Sequence, residues 1–253
     1  VQEVARLADN LATMRAIGFC VSVEHARFMA SVFSMHGLPS VAIWGDSSQA
    51  DRESALHDLA AGAVRVVFSV DLFNEGVDVP AVDTLLMLRP TESPTLFLQQ
   101  LGRGLRRSPG KRFCTVLDFV GTHRKEFRFD RRYQGLLGGT RRDVENSVKQ
   151  GFPFLPVGCH MNLDEKASQV ILESIREAIP TKWSAKVAEL RELTRRYPRI
   201  SISRYLEASG LDLQDVYDNE KCWSDLCEAA GNAIAPKGPN EEPLRKAVGR
   251  LLH

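Results

Sequence analysis

The stretch VRVVFSVDLFNEGVDVP, residues 64–80, joins two patterns that together predict an α/β fold. Its first seven residues are rich in β-branched and aromatic side chains, a composition typical of a buried strand. The polar residues that follow include Gly76 and Asp78. Open α/β sheets place ligand contacts in loops at the carboxyl ends of strands. We therefore predict a ligand-contacting loop in which Gly76 permits close backbone approach and Asp78 offers a carboxylate.

Strand and helix patterns alternate on both sides of this stretch. Upstream, a helical pattern over residues 1–14 leads into a strand at Ile17, and later helices alternate with a strand at residues 40–44. Downstream, apolar runs at residues 82–88 and 112–119 flank one more helix. Such alternation predicts a parallel sheet with helices on both faces.

The helix between those last two strands contains QQLGRGLR, residues 99–106. Arg103 and Arg106 are three residues apart, so on a helix both guanidinium groups face the same side. Guanidinium groups are permanently charged and match phosphate oxygens, as an arginine finger in phosphoryl transfer requires. A surface helix with ion-paired arginines has the same pattern. The eight residues alone do not distinguish this interpretation from an arginine finger.

Three segments in order carry a family resemblance. Residues 17–22 resemble motif IV of the superfamily-two helicases, residues 69–80 resemble motif V, and residues 99–106 resemble motif VI. About the first half of the chain is similar to the second, C-terminal RecA-like domain of these enzymes, including bacterial DEAD/DEAH-box-type helicases. The resemblance implies a RecA-like parallel sheet.

The resemblance also implies a nucleotide site. ATP would bind in the cleft between two RecA-like domains, with Arg103 and Arg106 reaching the γ-phosphate and Gln99 positioning the nucleotide or its water. Gly76, Asp78 and Gly102 would contact the nucleotide.

The sequence contains no phosphate loop and no acidic box for magnesium. We therefore expect ATP and Mg²⁺ to be held by an N-terminal RecA-like domain outside this chain. The chain itself is expected to be the C-terminal portion of a longer protein and inactive without that domain.

Charge is unevenly distributed along the chain. The net charge is +1, but residues 99–150 contain 13 Lys and Arg against 5 Asp and Glu. A basic stretch suits phosphate contacts, although a solvated charged face has the same composition. The predicted nucleic-acid contacts are Arg124, Lys125, Arg128, Arg131, Arg132, Arg141 and Arg142. We expect DNA as the partner; an RNA helicase and a non-catalytic binding or docking module remain the alternatives.

Residues 1–150 are predicted to form the RecA-like domain with its basic extension, and residues 151–253 a smaller all-α domain. The region after Pro156 resembles bacterial proteins related to type III restriction Res subunits. Segments 202–208 and 211–217 have a helix-turn-helix spacing, but the second is acidic, which favours packing over DNA reading.

No apolar run has the length of a membrane span, and we expect a cytoplasmic protein. The five scattered cysteines are expected to be reduced thiols. A zinc site at Cys159, His160, Cys222 and Cys227 is the weaker interpretation because the spacing is loose, so no metal site is predicted.

Overall fold

A computed structural model describes residues 1–72, 79–91, 93–120, 127, 129–139, 141–177, 179–217, 221–232, 238–241, 243–245 and 247, without the side chain of Arg142. The chain divides into two compact units, Val1–His123 and Arg124–His253. Within the described residues, no helix is both long and apolar enough to cross a membrane.

The first unit is built on a five-stranded sheet with the order β2-β3-β1-β4-β5, in which every neighbouring pair is parallel. The strands are β1 (Ala16–Phe19), β2 (Ser40–Trp44), β3 (Val66–Val70), β4 (Thr84–Met87) and β5 (Thr115–Asp118). Strands β1 and β4 are buried along their whole length, which explains their nearly continuous apolar sequences. The predicted RecA-like parallel sheet is confirmed.

The described residues of this unit form four helices: α1 (Gln2–Leu7), α2 (Val23–Met35), α3 (Gln49–Ala61) and α4 (Pro94–Gly104). Helix α1 is much shorter than the predicted 1–14. The Asn10 side chain accepts a hydrogen bond from the amide of Ala12 at 2.9 Å, and such local side-chain bonds favour a turn over a helix.

Helices α2 and α4 cover opposite faces of the sheet. Phe33 of α2 belongs to the same buried cluster as Leu86 of β4, whereas Leu85, its neighbour in the strand, lies against Gly104 of α4. Successive residues of a strand point to opposite faces. The prediction of helices on both faces is therefore confirmed.

The described part of the second unit contains α5 (Phe129–Leu137), α6 (Arg141–Gln150), α7 (Glu165–Glu177), α8 (Trp183–Arg196), α9 (Ile202–Ser209), α10 (Leu213–Val216) and α11 (Trp223–Ala230). Helices α5 and α6 pack against α7 and bury apolar residues such as Tyr133, Val144 and Val148. The division near residue 123 therefore differs from the predicted boundary at residue 150, since these two helices form part of the helical unit's own core.

The segment with helix-turn-helix spacing is a packing element. Helix α9 ends at Gly210 in the left-handed conformation, and α10 has only four residues. Tyr205, Leu211 and Val216 are buried in one cluster with α8 and α11. A helix of one turn, anchored this way, is too short to read a DNA groove in the manner of a recognition helix.

Candidate functional site

Helix α4 carries the motif VI segment, and its sequence explains where it starts and which side it buries. The Ser93 hydroxyl accepts a hydrogen bond from the amide of Leu96 at 3.3 Å, and Pro94 occupies the first turn, both typical of a helix start. Phe97, Gln100 and Gly104 are buried, at the spacing of one helical face. Gln99 and Gly102 lie on the exposed side.

Gly104 brings the end of α4 into close contact with the sheet. A Cβ atom at this position would lie 2.4 Å from the Cys114 sulfur and 2.9 Å from Leu85 Cγ. Only glycine permits this approach, so the helix end is fixed in depth against the sheet. Gly102 is different, because nothing lies within 4 Å of a Cβ placed there.

The two motif VI arginines do not lie on one helical face, which corrects the prediction. Helix α4 ends at Gly104 with Leu105 as its C-cap, so Arg103 lies in the last turn and Arg106 follows the helix. Both side chains are partly exposed. Helical periodicity therefore does not align the two side chains, and the position of Arg106 depends on the contacts of the chain after the helix.

Lys111 holds that segment of chain. Its ammonium donates hydrogen bonds to the carbonyl of Gly104 and to the carbonyl of Arg106, the latter at 2.9 Å. A third, longer contact of 3.4 Å reaches the carbonyl of Pro80. Burial lowers the pKa of Lys111, while Cys114 and Asp83 act in the opposite direction. Sequence analysis missed this residue, because its partners appear only in the fold.

The contact with Lys111 locates Pro80, the last residue of the motif V segment. Gly76 and Asp78 lie outside the described residues. Pro80 precedes β4 and Lys111 precedes β5, and the two meet at the amino edge of the parallel sheet. Pro80 therefore lies at the edge of the sheet opposite to Asp71, since a connection between parallel strands must return along the sheet.

The carboxyl edge of the sheet carries a different contact. Asp71 follows β3 and has a φ of 56°, a left-handed conformation that asparagine and aspartate tolerate better than most residues. Its carboxylate forms an ion pair with Arg89, which follows β4. Ser22, at the end of motif IV, caps α2 by accepting from the amide of His25 at 3.2 Å. Ser22 and Asp71 lie within the predicted ranges of motifs IV and V, but neither was predicted individually as a site residue. Arg89 was not predicted.

The structure removes two residues from the predicted nucleic-acid contacts. Arg141 is 2% exposed and forms ion pairs with Asp130 at 2.9 Å and Glu189 at 3.2 Å. Arg132 is 3% exposed and lies over the Tyr133 ring, 5.9 Å from its centroid. Buried guanidinium groups cannot meet a phosphate at the surface, so both predictions are wrong.

The remaining residues predicted to contact nucleic acid are neither confirmed nor excluded. Arg131 is partly exposed and pairs with Glu192 at 2.9 Å. Arg124, Lys125 and Arg128 lie outside the described residues, as does the side chain of Arg142. Within the part of the chain that the structure describes, no three His, Cys, Asp or Glu side chains group to hold a metal ion.

The parallel sheet and the motif VI helix end define a RecA-like domain of the helicase type. Residues 2–108 match the model of the helicase conserved C-terminal domain. Over these residues, the resemblance to the C-terminal RecA-like domain of superfamily-two helicases that motifs IV, V and VI predicted is confirmed.

Individual relatives agree over the same region. The chain is 32% identical over 103 residues to the candidate ATP-dependent helicase IRC3 of Saccharomyces cerevisiae, covering 41% of this chain and 15% of that protein. It is 36% identical over 107 residues to the candidate mitochondrial ATP-dependent helicase irc3 of Schizosaccharomyces pombe, covering 42% and 18%. Identity to the ATP-dependent RNA helicase DHH1 of Encephalitozoon cuniculi is 28% over 122 residues, covering 48% and 24%. The chain thus spans less than a third of each relative.

Proposed function

We propose that this chain supplies the arginine side of a helicase ATPase site and works with a second RecA-like domain that binds ATP. Arg103 and Arg106 would contact the γ-phosphate, with Arg106 as the finger, and Gln99 would position the nucleotide or its water. Gly76, Asp78 and Gly102 would contact the nucleotide. The observation that carries the proposal is the Lys111 ammonium, which joins the described end of motif V at Pro80 to the backbone of Arg106.

This geometry suits charge stabilisation in phosphoryl transfer. Negative charge spreads over the transferred phosphate in the transition state, and fixed guanidinium groups lower its energy most in a closed cleft. An arginine finger contributes about 10³- to 10⁵-fold in rate. Hydrolysis would then release the contact between domains, coupling their closure to ATP turnover.

The described residues of this chain do not fit a magnesium site. Mg²⁺ binds in protein sites through carboxylates and phosphate oxygens, whereas the motif VI end presents arginine side chains. We therefore assign Mg²⁺ and the phosphate loop to the other domain and route no step of the reaction through this chain's carboxylates.

We propose nucleic acid, with DNA as the first candidate, as the partner that stimulates hydrolysis. Arg131 is the described candidate contact, and Arg124, Lys125, Arg128 and Arg142 remain candidates from sequence. The second candidate is RNA, which the identity to the RNA helicase DHH1 favours. The DNA assignment and the restriction-type resemblance of the second unit rest on sequence alone. A cytoplasmic location is likewise proposed, supported by five free cysteines.

The test measures phosphate release by the chain alone and by a protein in which it follows a phosphate-loop domain. We expect negligible hydrolysis by the chain alone and nucleic-acid-stimulated hydrolysis by the two-domain protein. Single-stranded DNA, duplex DNA and single-stranded RNA are compared as activators, and the strongest stimulation identifies the substrate class. Absence of hydrolysis with retained nucleic-acid binding would favour the docking-module alternative.

Matched arginine variants test the finger itself. Arg106→Ala should lower turnover by about 10³-fold or more while changing nucleic-acid affinity little, because it removes a group that acts in the transition state. Arg107→Ala removes the same charge from the exposed next position and should leave turnover within about twofold. Unchanged turnover in Arg106→Ala would overturn the proposed role.

A further inference from the structure

We infer that Lys111 is a positioning residue for the ATPase reaction, holding motifs V and VI in register with each other. This inference rests on the proposed function, since it assigns Lys111 a task that acts through Arg106. Lys111 lies outside all three motifs, in the connection between α4 and β5.

The number of contacts matches the chemistry of the side chain. A lysine ammonium has three N–H donors and no acceptor. Lys111 has three carbonyl partners, on Gly104, Arg106 and Pro80. Each donor therefore has one acceptor, and the ammonium points at backbone atoms from two separate segments.

The first two partners fix the chain at the end of α4. The last carbonyls of a helix lack partners within it, and a cation there is favoured by the helix dipole. Helix α4 ends at Gly104, so nothing in the helix determines where Arg106 lies. The 2.9 Å bond from Lys111 to the Arg106 carbonyl supplies that constraint at the backbone from which the guanidinium extends.

The third partner connects this segment to motif V. Pro80 closes the motif V segment, two positions after Asp78 in the sequence. By contacting Pro80 and Arg106 together, Lys111 limits the separate movement of the two segments proposed to contact one nucleotide. A misplacement of about 1 Å in a reacting group can cost about 10²-fold in rate.

The experiment replaces Lys111 in the two-domain protein. Lys111→Met keeps the length of the side chain and removes the charge and the donors. We expect kcat to fall by about 10²-fold, with the KM for ATP changed less than about threefold, because phosphate binding by the other domain remains. The matched control is Arg112→Met, which removes a neighbouring charge whose side chain is 80% exposed and pairs with Asp9 at 3.5 Å. It should leave kcat within about twofold.

A double-mutant cycle separates positioning from general stability. If Lys111 acts through Arg106, adding Lys111→Met to Arg106→Ala causes less than about a threefold further loss, since coupled residues are non-additive. If Lys111 contributed only to stability, the fold-loss of kcat in the double variant would be the product of the losses in the two single variants. If Lys111→Met does not fold, judged by circular dichroism, Lys111→Gln takes its place in the same cycle.

The outcomes distinguish this inference from the proposed function. Unchanged turnover in Arg106→Ala overturns the proposed function, and the inference with it. A slow Arg106→Ala protein combined with a normal kcat for the Lys111 variant, or with multiplied losses in the double variant, overturns the inference alone.

Discussion

The guanidinium of Arg141 lies 2.9 Å from the carboxylate of Asp130, and both side chains are almost completely buried. Arg141 also reaches Glu189 on α8 and the carbonyl of Ser209 on α9. One side chain of α6 therefore contacts three other helices of the second unit. This arginine, selected from sequence as a nucleic-acid contact, is a structural residue.

Removing this buried charge should destabilise the helical unit strongly. Arg141→Met leaves the Asp130 carboxylate buried without its ion partner, which costs about 3–5 kcal/mol. Arg131→Met, which breaks a half-exposed pair with Glu192, should cost less than about 1 kcal/mol. Urea unfolding followed by tryptophan fluorescence measures both, since Trp183 and Trp223 lie in this unit. Equal costs for the two variants would contradict the assignment.

The two glycines of the motif VI helix should respond oppositely to alanine. Gly104→Ala forces a Cβ into the Cys114 sulfur and Leu85 and should destabilise the first unit by about 1–3 kcal/mol. Gly102→Ala meets open space and should stabilise the helix by about 0.5–1 kcal/mol. Chemical denaturation of the two variants measures the difference. Loss of stability in Gly102→Ala would show that its surroundings are more crowded than described.

The left-handed backbone conformation at Asp71 predicts that stability depends on which residue occupies this position. Asp71→Gly relieves the cost of a positive φ but loses the pair with Arg89, and each effect is worth about 1 kcal/mol. The net change in unfolding free energy should therefore be small. Asp71→Val places a β-branched residue in the same conformation and should cost about 1–3 kcal/mol. Thermal melting of the three proteins gives the order, and a valine variant as stable as glycine would rule out the left-handed conformation.

The buried Cys20 thiol and the partly buried Cys114 thiol should react slowly and should make the free energy of unfolding depend on pH in the alkaline range. Burial raises the pKa of Cys20 to about 12 and that of Cys114 to about 11. The unfolded chain ionises these thiols near pH 8.5, so their contribution to stability is intact below that pH and is lost as the pH rises toward 11 and 12. At pH 8, a maleimide reagent should label the exposed Cys159 much faster than Cys20 or Cys114, as peptide mass spectrometry would show.

Local sequence determined the parts of the fold that depend on local chemistry. The buried strands β1, β3 and β4 were predicted from their apolar runs, although each is shorter than its apolar pattern. Helix α3 was predicted from its cap, and Ser48 does accept from the amide of Asp51 at 3.1 Å. Motifs IV, V and VI identified the domain because each is a continuous stretch.

Contacts between distant residues account for what the sequence did not reveal. Arg141 is 48 residues from Glu189 and 68 from Ser209, and nothing in a basic stretch indicates which arginine will be buried. The sequence also did not reveal where α4 ends. Leu105 and Arg106 are good helix formers, so the end of the helix is determined by the tertiary contacts of Gly104 and Lys111. The division into compact units differs from the predicted boundary for the same reason, since α7, the partner of α5 and α6, comes later in the chain.

The described residues on either side of positions 73–78 each contact a cation: the Asp71 carboxylate pairs with Arg89 at the carboxyl edge of the sheet, and the Pro80 carbonyl accepts from Lys111 at the amino edge. An anion that competes for Arg89 would therefore displace the Asp71 carboxylate from its ion pair.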